Sequence, residues 1–158
     1  MRWYKFSIVL AIGLLVELIV AIPSSILIKE NGEWLAGMVL PYFAPHSPLF
    51  FGAMMEVIYL SAVFSLALYA KTRSDLPKGI VLTVLEGLSE IVTLLFFFKF
   101  TYEITSFFLA TAALGLSLHN TGVFLSKSDP AGFARFPSLI SKIYLWTVLY
   151  CILSINFA

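Results

Sequence analysis

Four glutamates, Glu17, Glu56, Glu86 and Glu90, stand with His119 and Asn120 inside stretches that are otherwise apolar. A charged side chain deep in a bilayer is costly, so such groups face the bundle interior, pair with one another or stay protonated. Glu86 and Glu90 are four residues apart and share one helix face. Two adjacent carboxylates in a low-dielectric medium would not both ionise, an arrangement that binds a cation or relays a proton. His119 supplies a candidate second member of an acid–base pair. The plainer role for all six is hydrogen bonding between helices. Di-iron carboxylate proteins take Glu-x-x-His pairs from two helices; none occurs here, so no metal centre is expected. Cys151 is the single cysteine, which excludes a disulfide framework and a cysteine metal site.

These groups need elements to position them. Over 158 residues, 60% are hydrophobic and 12% charged, and the mean hydropathy is +0.96, which excludes an ordinary soluble domain. The net charge of +1 leaves no nucleic-acid footprint. Five runs approach or reach the roughly 20 residues needed to cross a bilayer: Phe6–Leu27, Leu49–Ala70, Gly79–Phe98, Ile104–Leu125 and Leu139–Ala158. The expected fold is therefore an all-α integral membrane protein, one five-helix transmembrane domain spanning the whole chain. The first run is too long for a cleaved signal peptide and reads as a retained span. Arg2, Lys5, Lys71, Arg73, Lys78, Lys127, Arg135 and Lys142 fall on one side of such a threading, against Lys29 and Lys99 on the other. By the positive-inside rule the N-terminus is cytoplasmic and the C-terminus outside. A bacterial inner (cell) membrane is the expected location.

The first outer connector, residues 29–48, differs from an ordinary polar loop. It carries Trp34, Tyr42, Phe43, Pro41, Pro45, Pro48 and His46, so it is stiff, aromatic and expected to fold against the bundle. A proline-stiffened loop loses little entropy on closing over a ligand. The aromatic faces of Trp34, Phe43, Tyr59 and Trp146 suit a flat, apolar guest.

In order, the segment reads Trp34-Leu-Ala36-Gly37-Met38, then Pro41-Tyr-Phe43-Ala-Pro45, then Phe51-Gly52 and Ile58-Tyr59. It resembles the first loop and second helix of the translocator proteins, also called tryptophan-rich sensory proteins or peripheral benzodiazepine receptors. Phe96-Phe97 and the last-span residues Tyr144-Leu145, Trp146, Tyr150 and Asn156 resemble that family more loosely. Leu35, His46, Met55 and Ser89 depart from its pattern. The resemblance implies a homodimeric membrane receptor that binds tetrapyrroles. On this chain the ligand-binding residues would be Trp34, Pro41, Phe43, Pro45, Tyr59 and Trp146, and the guest a porphyrin, a haem or a similar planar lipophile.

Three functions follow as expectations. The first is a receptor or carrier for planar lipophiles beneath the loop, with membrane lipid and the ligand as partners, no firm cofactor and no catalysis. The second is a proton- or cation-coupled small transporter using Glu17, Glu56, Glu86, Glu90 and His119. The third is a membrane-embedded lipid or isoprenoid enzyme with a Glu/His acid–base pair.

Overall fold

A peptide group in hydrocarbon must find its hydrogen bond within its own segment, so apolar runs of this length fold as helices. The computed structural model describes residues 2–44, 47–72 and 75–156, with Arg2, Trp34 and Ala36 by their backbone alone. Five helices are long and apolar enough to span a membrane. They are α1 (Arg2–Asn31), α2 (Pro48–Thr72), α3 (Leu76–Leu94), α4 (Glu103–Lys127) and α6 (Phe136–Asn156). A π-helical turn, Leu95–Lys99, extends α3, and a short α5 (Asp129–Phe133) leads into α6. No strand occurs among the described residues. The first four helices overrun the expected runs because hydropathy falls at the first charged side chain while helical hydrogen bonding continues past it.

The helices close a ring. α1 packs along α2, α2 against α6, α6 against α4 and α4 against α3, while α3 returns to α2 and the π-helical turn touches α1. α1 is the peripheral member. Only 6% of its most apolar window is buried, and Ile12, Leu15, Ile19 and Ile22 point outward, as lipid-facing residues do. The main core lies toward the end where the first connector joins the bundle. It gathers Phe51, Met55, Ile58, Phe97, Phe98, Val148 and Ile152.

That connector is folded, as its composition predicts. It buries Leu35, from a 3-10 turn over Gly32–Gly37, and then Leu40 and Ala44 in the main core. Asn156 near the end of α6 accepts from the Val39 amide at 3.0 Å and donates to the Val39 carbonyl at 2.9 Å. The Tyr144 hydroxyl donates to the Phe43 carbonyl at 2.8 Å. Two polar side chains of one helix thus hold the loop backbone, which would otherwise lack partners.

The 126–137 connector departs from the sequence reading as a loop. It folds into α5, which packs against α2 and α4 with Ala131 and Gly132 buried. Ser65 of α2 donates to the Ala131 carbonyl at 2.7 Å, and Ser61 caps the Ala134 carbonyl. Hydroxyls on a neighbouring helix supply what the short helix cannot give its own carbonyls. Arg135 and Lys142, counted from sequence among the cations of one membrane side, are buried here, 1% and 5% exposed. The charge bias that remains is Arg2, Lys5, Lys71, Arg73, Lys78 and Lys127 against Lys29 and Lys99, in the same direction as before.

A Cβ on Gly132 would lie 2.7 Å from the Leu125 Cα, closer than side chains approach backbone. Gly132→Ala should therefore force α5 off α4 and cost about 1–3 kcal/mol. Thermal unfolding of the detergent-solubilised protein measures it, with exposed Gly122→Ala as the neutral comparison.

Candidate functional site

Glu86 lies about ten residues into α3, roughly 15 Å along its axis at 1.5 Å per residue. It is 2% exposed, with three donors around it. The Arg135 guanidinium donates to Oε2, the Lys142 ammonium to Oε1, and the Asn120 amide to Oε2 at 2.8 Å. One turn further on, the Glu90 carboxylate pairs with the same ammonium at 2.8 Å. Lys142 also donates to the Ser117 hydroxyl at 3.2 Å, and Asn120 to the Leu82 carbonyl at 3.0 Å. The Arg135 guanidinium stands 4.6 Å from the centre of the Phe124 ring, a cation–π contact.

Two carboxylates and two cations therefore share one buried cluster formed by α3, α4 and α6. The one-turn spacing of Glu86 and Glu90 gives them a common face, and the two-turn spacing of Arg135 and Lys142 gives the cations theirs. Like charges four residues apart would repel alone; opposed to two cations, they balance. Removing any one member strands a charge in low dielectric.

The cluster forms the end of a cavity of about 60 Å³. Glu90 and Lys142 are its charged lining, and its apolar wall combines Phe51, Met55, Phe97, Phe98 and Trp146 with leucines and alanines of α3, α4 and α6. Trp146 stacks on Tyr150 at 5.9 Å with planes 8° apart, packs on Phe107 at 5.5 Å, and donates from its indole to Thr111 at 2.9 Å. Its ring is thereby fixed as one side of the cavity mouth.

The remaining residues singled out from sequence fall in several places. Glu17 neighbours Glu56 across the α1–α2 contact, apart from the Glu86 cluster. Tyr59 is buried on α2 and with Glu56 lines a separate cavity of about 10 Å³. Asn120 faces Glu86, so His119, one residue back on α4, points to the exposed side and does not join it. Pro41 is buried under the loop; Phe43 is 38% exposed and packs edge-on against Tyr144. Neither lines either cavity. The side chain of Trp34, and Pro45 and His46 entirely, lie outside the described residues.

Arg135, Lys142 and Ser117 complete the site without having been expected there. The signal was present for Lys142, which lies three residues inside the last apolar run, where a charge is a functional or structural marker rather than a flank. The chain matches no protein-family model, and no characterised protein is significantly similar to it.

Arg135→Met should lower stability by about 3–5 kcal/mol, because Glu86 is left with one cation for two buried carboxylates. Adding Glu86→Gln should restore much of that loss, since Glu90 and Lys142 then balance. Unfolding of the single and double variants in one detergent separates the two outcomes.

Proposed function

We propose that this chain is a membrane receptor or carrier for a planar lipophilic ligand of porphyrin or haem type, seated between α2, α3, α4 and α6. The observation that carries the reading is the cavity itself: an apolar wall that includes Phe51, Phe97, Phe98 and Trp146, with the charged pair Glu90 and Lys142 in its lining. Flat aromatic surfaces bind a flat guest by stacking and area burial, and the Lys142 ammonium and Glu90 carboxylate offer a polar group on that guest a donor and an acceptor. The resemblance of the Trp34–Pro45 segment to translocator proteins supports the same ligand class.

Small-molecule pockets usually enclose about 300–1,000 Å³, so a cavity near 60 Å³ must widen to take such a guest. The π-helical turn Leu95–Lys99 lies where opening is easiest. It contributes Phe97 and Phe98 to the wall and is followed, two residues past its end, by Thr101, a β-branched residue held at φ 53°. A π turn replaces regular α-helical hydrogen bonds and is frequent at functional sites. Loop 29–48 then sits on the outer face with the N-terminus cytoplasmic, in keeping with the lysine and arginine bias, and two copies pair as in the family it resembles.

Protoporphyrin titrated into the purified protein should quench tryptophan fluorescence saturably. Trp146→Ala should weaken binding about tenfold, equal to about 1.4 kcal/mol. Failure of protoporphyrin to quench saturably would sink the reading.

A further inference from the structure

Lys142 differs from every other lysine in the chain. Lys5, Lys29, Lys71, Lys78, Lys99 and Lys127 all stand within a turn of a helix end, where an ammonium reaches the membrane surface. Lys142 stands in the second turn of α6, 5% exposed, and lines the cavity. Its ammonium donates to Glu86 and, at 3.2 Å, to Ser117, and pairs with Glu90 at 2.8 Å. Glu90 lines the same cavity. A lysine amine beside an acceptor for its proton, in an apolar hollow, is the usual setting for imine formation with a carbonyl.

Charge narrows what that amine can take. Glu86 and Glu90 balance Arg135 and Lys142, two against two. A carboxylate or phosphate on a guest would add a third negative charge at low dielectric, so a carboxyl enters only with its proton. A carbonyl is neutral, and its product with a lysine ammonium, a protonated imine, carries the same single positive charge. The cluster then stays balanced before and after. A hollow of about 60 Å³ favours a carbonyl with one carbon substituent, an aldehyde, over one with two. Phe51, Phe97, Phe98 and Trp146 offer the hydrocarbon part of that guest an aromatic surface.

We propose that Lys142 binds a lipophilic aldehyde covalently, as a protonated imine with Glu90 as its counter-ion. Lys142 first hands a proton to Glu90. The freed amine adds to the carbonyl carbon, and a proton moves from the nitrogen to the carbonyl oxygen. Glu90 then protonates the resulting hydroxyl, water departs, and the nitrogen lone pair closes the C=N bond. In sum, aldehyde and ammonium give iminium and water, Glu90 is again a carboxylate, and no oxidant or reductant enters. The iminium keeps one N–H, which Glu90 accepts, while Glu86 retains Arg135 and Asn120. The proposal rests on the cavity admitting a lipophile, and not on a porphyrin being that lipophile.

The test incubates the full-length wild-type protein in lipid vesicles with cinnamaldehyde or retinal, then reduces it with borohydride. Reduction fixes an imine as a secondary amine, which peptide mass spectrometry assigns to a residue. Lys142 should be labelled at least tenfold more than any of the other six lysines. Before reduction, absorption should move to longer wavelength than that of the free aldehyde, as for a protonated imine. Glu90→Gln should slow labelling of Lys142 at least tenfold and leave the other lysines unchanged. The decisive comparison is made within the wild type, so misfolding of that variant cannot mask it. Labelling confined to the other lysines, or a wild-type rate at Lys142 in Glu90→Gln, overturns the proposal. Saturable quenching by protoporphyrin without a Lys142 adduct sinks this proposal alone; an adduct without quenching sinks only the porphyrin reading.

Discussion

A carboxylate that must be neutralised inside a bilayer constrains everything around Glu86. Its two oxygens take three donors from three places: the α5–α6 junction, α6 and α4. Those contacts fix the rotation of α3 about its axis, the depth of α6 and the face that α4 presents. The placement of α5 follows from the same demand. Arg135 reaches Glu86 because α5 folds inward over Leu125, and α5 can do so because Gly132 has no side chain and Ser61 and Ser65 take its carbonyls. Apolar packing alone would leave these helices free to slide and turn, since lipid solvates their surfaces as well as they solvate each other.

The five spans and the structured loop were legible because both are properties of a run: length and hydropathy for the first, density of proline and aromatics for the second. The charge cluster was half legible. Glu86 and Glu90 announced themselves by being charged at mid-span, but Arg135 and Lys142 lie close to a polar connector, where flanking cations are common and orient the chain. Which of those two duties a lysine performs depends on whether a partner waits inside, and that partner is 56 residues away in the case of Lys142 and Glu86. His119 shows the converse. Its type suggested chemistry, yet helical geometry gives the inward face to Asn120 and turns its neighbour out. The closeness of Glu17 to Glu56 was hidden for a further reason, since it depends on the register of α1 against α2.

Loop, cavity and charge cluster make one graded column. The connector seals the core with Leu35, Leu40 and Ala44; beneath it lie the phenylalanines and Trp146; beneath those stand Glu90 and Lys142. Polarity rises with depth, the reverse of an aqueous pore, where the mouth is wet and the constriction dry. Such a gradient suits the proposed guest, a lipophile with one polar end. The π-helical turn supplies Phe97 and Phe98 to the wall beside α3, while Trp146, packed by Thr111, Tyr150 and Phe107, supplies the side of α6.

The hold of Asn156 on Val39 has a bearing on how the protein is made. A loop between the first two helices is fastened by the final turn of the last one, 117 residues further along. During synthesis the loop leaves the insertion machinery long before α6 exists, so it must wait unlatched until the whole bundle is threaded. Its closure then requires that α6 be in place. A chain stalled after α4 would lack both latches on this loop, Asn156 and Tyr144 of α6.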